Sequence, residues 1–203
     1  MRWISVAGLV IALAGPVSAQ PAPQPLALLD VPFISQSEAL CGGAAAAMIL
    51  RYWGARGLDA ESFAHLVDRS AAGIRTTALI GDLRQRGWTA TGIAGTEELV
   101  ETELARGRPI LALIEDRPGT FHYIVVVAAA RLAIVFHDPA RAPMRVMSRT
   151  EFARRWQPAG RWMAVVLPGP ENVTNAPVPA VAVVRPLSAC EQLVADGIAS
   201  AHA

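Results

Sequence analysis

Apolar and polar positions change period several times along the chain, and each change marks an element. Met1-Arg2 carries one positive charge, and Trp3 to Ala14 is mostly apolar. Gly15-Pro16 breaks that run, and Val17-Ser18-Ala19 sets small residues at the −3 and −1 positions. This is the pattern of a secretory signal peptide over residues 1–19, cleaved after Ala19, with a short lead-in over 20–27. An apolar run of about 12 residues is too short for a membrane span, which needs ~20, so no stable span is expected after cleavage. From Ala44 to Trp53 the chain has strong helix formers and no breaker until Gly54, which predicts a helix opening near Cys41. Residues 60–69 predict a second helix, with His65 partly exposed on it. Thr76 to Arg86 predicts a third, stopped by Gly87, and Trp88 to Ile93 a short strand. Thr96 then opens another helix whose acids, Glu97 and Glu98, fall in the favoured first turn.

Further on the period shortens. Pro109–Ile114, Phe121–Val127 and Leu132–Asp138 are nearly continuous β-rich runs and read as buried strands. Met144–Met147 predicts a short strand, and Ser148-Arg149-Thr150-Glu151 is a capping box opening a helix that carries Phe152 and Trp156. Arg161–Leu167 returns to the sheet. Helices first and an antiparallel sheet after them make the fold class α+β, with the globular domain over 28–168. Residues 169–186 are rich in proline, valine and alanine and read as a linker. Residues 187–203 form a tail, of which Leu187–Ala201 could make one helix, marginal on its own.

Charge and composition narrow the chemistry mainly by exclusion. A formal charge of +1 says little about partners. No basic cluster points to nucleic acid. The 18 basic residues are all arginine. The absence of lysine excludes a Walker A lysine, a Schiff-base lysine and a Ser–Lys dyad. No G-x-S-x-G, H-E-x-x-H or G-x-G-x-x-G occurs, and no cofactor is expected.

The run Gln36-Ser37-Glu38-Ala39-Leu40-Cys41-Gly42-Gly43 sets a cysteine at a helix start. There the unpaired N–H groups and the positive end of the helix dipole favour the reactive thiolate. His122 sits in one β-rich run and Asp138 at the end of the next. Cysteine, histidine and aspartate in that order, on helix, strand and strand, suggest nucleophile, base and orienter. Gln36, just upstream, would supply an oxyanion donor. Each residue also has a bland reading: a buried inert thiol, a satisfied strand histidine, a turn-forming Asp-Pro and a loop amide. A Cys41–Cys190 disulfide would tie a domain helix to the tail. A zinc site from Cys41, His122, His137 and Asp138 is disfavoured, because adjacent strand residues His137 and Asp138 point to opposite faces.

Val31-Pro32-Phe33-Ile34-Ser35-Gln36 through Cys41-Gly42, with His122-Tyr123 and Asp138-Pro139, resembles the C39 peptidases. These are papain-like cysteine peptidases known for removing leader peptides after a double glycine. The likeness covers about residues 28–168 and includes the closing Phe152, Trp156 and Trp162–Pro168. It implies a papain-like fold of N-terminal helices packed on an antiparallel sheet. It also implies Cys41 as nucleophile, His122 as general base, Asp138 as orienting carboxylate and Gln36 as oxyanion donor. A peptide or protein substrate follows, cut near glycine, with an export system as candidate partner. One departure is Cys41-Gly42-Gly43 where many members have Cys-Gly-Pro. Proline suits a first helical turn and glycine does not, so a looser helix start is expected. Another is the free-standing architecture, unlike members fused to membrane exporters. The expectation is thus an exported cysteine peptidase, periplasmic or secreted. The alternatives are a C39-like peptide-binding accessory domain and a papain-like acyl transferase or amidase.

Strand geometry gives the sharpest expectation. Phe121–Val127 and Leu132–Asp138 should pair as an antiparallel hairpin with Ala130 at the centre of an odd loop, setting His122 directly opposite Asp138. Directly opposite residues have Cβ atoms ~4.5–5.5 Å apart. An even loop without a bulge would separate them onto opposite faces. The same register sends Tyr123 and His137 to the other face and makes His137 a bystander.

Overall fold

α1 (Cys41–Tyr52) is covered on nearly every side, with Ala44 to Leu50 fully buried. A helix that is apolar all round belongs in the interior. The computed structural model describes residues 28–170 and residue 172. The signal peptide, the 20–27 lead-in, the linker apart from Gly169, Pro170 and Asn172, and the tail with Cys190 lie outside the described residues. Among the described residues no helix is long and apolar enough to cross a membrane. Gly43, expected to loosen the start of α1, has a packing role instead, as does Gly42. A Cβ on Gly42 would stand 3.0 Å from the Tyr123 ring, and one on Gly43 would stand 2.7 Å from the Ala60 carbonyl oxygen. Their bare backbones let a strand and a loop close onto the helix.

The helix expected over residues 60–69 is corrected to a 3₁₀ segment, Glu61–Leu66, followed by β1 (Val67–Asp68), which pairs antiparallel with β2 (Gly73–Ile74). Asp68 causes the break. Its carboxylate accepts from the Ser70 and Ala71 N–H groups at 2.8 and 3.3 Å and pairs with Arg75, turning the chain where a helix would continue. His65 is partly exposed, as expected, with Nε2 2.9 Å from Asp82 Oδ1. α2 (Thr76–Gln85) ends before Gly87, whose φ of 80° suits glycine. Thr96 caps α3 (Glu97–Ala105), and Ser148 caps α4 (Arg149–Trp156) by accepting from the Glu151 N–H at 3.1 Å.

Six antiparallel strands form the main sheet. In spatial order they are β3 (Trp88–Ala94), β8 (Trp162–Pro168), β4 (Ile110–Arg117), β5 (Thr120–Ala129), β6 (Ala133–Asp138) and β7 (Ala142–Ser148). The chain is therefore α+β, helices on an antiparallel sheet. Strict helices-then-strands order fails: the β1–β2 ribbon precedes α2, β3 precedes α3 and joins the sheet edge beside the last strand, and α4 falls between β7 and β8. α1 packs across β5, and its buried Trp53 donates Nε1–H to the Val166 carbonyl at 2.8 Å.

The β5–β6 register differs from the expected one. The hairpin loop is even, the two residues Arg131-Leu132, closed by Ala130 N–H donating to Ala133 O at 2.8 Å. Val125 faces His137 and Ala129 faces Ile134, with a β-bulge at Val127 between the two stretches. The extra bulge residue restores the phase that the even loop would have lost. Continuing from Val125↔His137, Asp138 falls opposite Ile124, and His122 lies two residues further along the same face. The pair is diagonal rather than directly opposite, within reach of long side chains. The bulge also frees the Val127 carbonyl, which accepts the Leu29 N–H at 3.0 Å and so anchors the extended segment before α1.

Candidate active site

Cys41 is the first residue of α1, half-buried, with its thiol against the His122 imidazole. Burial alone would push the thiol up. The hydrogen bond from His122 works against this, joined by the Tyr123 N–H, the charge of His122 and the Gly42 N–H. Together they bring the thiol below its ordinary value of 9.0. The helix start supplies the Gly42 N–H, and the adjacent strand supplies the one from Tyr123. Gly42 is pressed against the Tyr123 ring, and the Tyr123 hydroxyl donates to the Ile74 carbonyl at 3.0 Å. Strand β5 and the start of α1 are thereby held in close register.

His122 is 8% exposed and sits 2.8 Å from Asp138 through Nε2, leaving Nδ1 for the thiol. Burial would lower the imidazole. Hydrogen bonds to Asp138 and Cys41, and the charges of both, raise it to about 9 instead. Burial would likewise raise Asp138, but His122 and Arg141 hold its carboxyl far below the usual carboxylate range. Every lone-pair direction of that carboxylate is engaged. Oδ1 accepts from His122 and from the Ala140 N–H at 3.1 Å, while Oδ2 accepts from Arg141 at 3.0 Å and Arg145 at 2.7 Å. With the thiol shifted down and the imidazole up, the shared proton belongs on the imidazole. The arrangement can hold a thiolate beside an imidazolium whose orientation a carboxylate fixes.

Gln36 lies in the extended segment that leads into α1. Its backbone N–H donates to the Pro139 carbonyl at 2.9 Å, which sets it beside the residue following Asp138. Its side-chain Oε1 is buried without a hydrogen-bond partner. His137 faces away from this group. Its Nε2 meets the Val31 carbonyl at 2.8 Å and its Nδ1 the Met144 N–H at 3.1 Å. Among the described residues no three His, Cys, Asp or Glu side chains are grouped to hold a metal ion. The structure therefore brings Cys41, His122 and Asp138 together, sets Gln36 near Asp138 and leaves His137 outside. The sequence reading overlooked Arg141, Arg145 and the Tyr123 N–H. Arg141 had a signal: an arginine three residues after an Asp-Pro turn can fold back onto the aspartate.

Residues 28–163 match the Peptidase_C39 like family. A search of the curated proteins finds no match. Among solved structures, the chain is similar to a C39-like protein from Bacillus anthracis at 15% identity and a TM-score of 0.59, covering 69% of this chain and 96% of that one. It is also similar to a double-glycine-motif protease from an AMS/PCAT transporter, solved with its leader peptide, at 24% identity and a TM-score of 0.57, covering 70% and 94%. A third likeness is to the peptidase domain of Streptococcus ComA, a bifunctional ABC transporter of a quorum-sensing pathway. That match has 16% identity and a TM-score of 0.56, covering 70% and 98%. At these identities the likeness speaks for the fold.

Proposed function

The chain belongs to the Peptidase_C39 like family, and on that footing we propose that it is an exported cysteine peptidase acting through an acyl-enzyme. Cys41 is the nucleophile, His122 the general base and acid, and Asp138 the carboxylate that fixes the imidazole tautomer. The Cys41 thiolate attacks the peptide carbonyl. The Cys41 N–H and the Gln36 side-chain amide hold the oxyanion that forms. His122 gives its proton to the leaving amine. It then takes one from water, whose oxygen attacks the thioester carbonyl; the C–S bond breaks, the acid product leaves and the Cys41 thiolate returns beside the imidazolium. One observation carries the reading: a single imidazole bridges a thiol shifted down and a carboxylate shifted down while itself shifted up to about 9. A structural histidine has no need of that opposition.

The substrate is a peptide or protein cut after small residues. Processing of a double-glycine leader is the specific form suggested by the AMS/PCAT protease solved with its leader peptide. The signal-peptide pattern over residues 1–19 supports a reaction outside the cytoplasm.

The test is thiol labelling combined with hydrolysis. Cys41 should be alkylated faster than Cys190, and Cys41→Ala should abolish cleavage of double-glycine peptides while the far-UV spectrum and melting temperature are kept. Equal labelling of the two thiols, with cleavage surviving the substitution, would overturn the assignment. N-terminal sequencing of exported protein should begin at Gln20.

A further inference from the structure

Among the described residues, Arg141 joins Asp138 to a second carboxylate. It follows Asp138 by three residues in the turn between β6 and β7, where its own N–H donates to the Asp138 carbonyl at 2.9 Å. One guanidinium nitrogen, Nη1, reaches Asp138 Oδ2 at 3.0 Å. The other, Nη2, meets both oxygens of Asp116 at 2.8 and 2.9 Å. Asp116 lies on β4, two residues beyond Ile114, which is paired with His122. An exposed ion pair is worth little. Here, though, the two carboxylates are 3% and 12% exposed, and the guanidinium that spans them is 41% exposed. Arg145 also reaches Asp138 Oδ2, and its guanidinium lies over the Phe136 ring.

We propose that Arg141 is a positioning residue for the site, holding Asp138 with Oδ1 turned to His122 and, balanced by Asp116, setting the charge that the imidazolium feels. The proposal rests on the thiolate–imidazolium reading of Cys41 and His122. With Oδ2 occupied by two guanidinium groups, Oδ1 is the oxygen left for the imidazole N–H. A guanidinium matches this task because its planar fork can satisfy two carboxylates in fixed geometry, which an ammonium cannot. The charged groups facing His122 are Cys41 from α1, Asp138 from β6 and Asp116 from β4. Behind them stand Arg141 and Arg145, on Asp138, and Arg155 of α4, whose Nη2 is 3.7 Å from Asp116 Oδ1. Arg141 and Asp116 are a pair of opposite charges; removing Arg141 leaves Asp116 only its longer contacts with Arg155 and Arg117, and removing Asp116 leaves Arg141 on Asp138 alone, so either change alters the charge that the imidazolium feels.

The experiment measures two pH profiles on the full mature chain: alkylation of Cys41 by iodoacetamide, read by peptide mass spectrometry, and kcat/KM for a cleaved peptide. Arg141→Met removes a cation and should move the alkaline limb up by roughly half a pH unit. Asp116→Asn removes an anion and should move it down by a similar amount. Arg141→Lys should keep the limb near wild type yet leave kcat several-fold low with KM unchanged, since charge is restored without the fork. Opposite shifts are a signature that a merely structural ion pair would not produce. Shifts of the same sign in the two neutralising variants, or none while both stay folded, would overturn the role of Arg141. If Arg141→Met does not fold, Asp116→Asn and Arg141→Lys still decide the matter: an unmoved limb in the first, or full kcat in the second, overturns it. Failure of the underlying reading looks different. Wild-type Cys41 would then alkylate in one step at an ordinary thiol value, with no second limb to move.

Discussion

His122 and His137 lie on neighbouring antiparallel strands, 8% and 3% exposed, and burial pushes both imidazoles toward the neutral form. Their partners then drive them apart. His122 meets a carboxylate and a thiol, and rises to about 9. His137 meets a carbonyl and a backbone N–H, and stays below the ordinary 6.5, with burial as the dominant cause. Because the Met144 N–H donates to Nδ1, the proton of His137 sits on Nε2 and is donated to Val31. The Phe33 ring stands edge-on at 5.9 Å. This neutral, fixed tautomer pins the extended segment that carries Gln36. Burial is thus common to both histidines, and only the polarity of the partner separates a group suited to carry charge from one suited to hold backbone.

Exchanging one side chain at a time is the hardest test of that contrast. His122→Ala should remove the imidazolium, return Cys41 to slow alkylation and lower kcat/KM by roughly 10³-fold or more. His137→Gln should keep most of the activity, since glutamine can still donate to Val31. Comparable losses from both substitutions would erase the distinction. Asp138→Asn is expected to rank next. The amide cannot favour the imidazolium, and it leaves Arg141 and Arg145 without their shared anion, so kcat should fall by roughly 10²–10⁴-fold. An Asn variant with wild-type rates and an unmoved alkaline limb would show that Asp138 does not set the tautomer.

The sites of these substitutions were legible in the chain to different depths. Cys41 was readable because helix formers begin directly after it, whereas the odd loop expected to set His122 and Asp138 on one face is even, and the bulge at Val127 puts them there instead. Their register was not readable. Val125-Val126-Val127-Ala128 is apolar throughout, and a run without alternation carries no phase, so a bulge at Val127 leaves no trace in the pattern. The ribbon of β1 and β2 was hidden for another reason. Residues 60–69 have a helical composition, and it is the Asp68 carboxylate, bonding to its own following backbone, that turns the chain. His137 looked like a bystander because its partners, Val31 and Met144, are backbone groups, which no residue type announces.

A smaller effect should appear in stability when His137 is replaced by an apolar residue of similar size. His137→Leu leaves the Val31 carbonyl and the Met144 N–H without their partner, at a cost of about 2 kcal/mol in urea unfolding. The loss of Phe33 edge contact would add to it. Activity should fall only as far as Gln36 is displaced, so KM and kcat at low temperature should change less than the midpoint of unfolding. A variant as stable as wild type would mean that the segment before α1 is held by the Leu29 and Gln36 backbone bonds alone.

The smallest expected effect is the pH dependence of stability, where the two histidines act in opposite directions. His137 has a folded pKa below its unfolded value near 6.5. As pH falls below 6.5 the unfolded chain takes up a proton that the folded chain refuses, so stability should decline through that window. His122, raised to about 9, would by itself add stability below 6.5 that is lost as pH climbs toward 9. Cys41 works against this. In the folded chain the thiol, shifted below 9.0, gives up its proton while the imidazole keeps one, whereas in the unfolded chain the thiol holds the proton, so the two shifts offset and the slope between about 6.5 and 9 is flattened. Wild type should therefore change little across that range, with an acid shoulder to which both His137 and the Cys41–His122 pair contribute, because below 6.5 the unfolded pair takes up a second proton that the folded thiolate resists. Asp138, held far below the carboxylate range, adds its own loss only as pH falls below about 4. His137→Gln should shrink the shoulder to the part that the Cys41–His122 pair contributes. Cys41→Ser should uncover an alkaline decline, because Asp138 still holds the proton on His122 and no thiol remains to offset it. Urea midpoints measured from pH 5 to 9 give the answer. A wild-type chain that declines toward pH 9 as steeply as Cys41→Ser, or a shoulder that His137→Gln leaves at full size, would show that the proton is not on the imidazole or that His137 is not the neutral group.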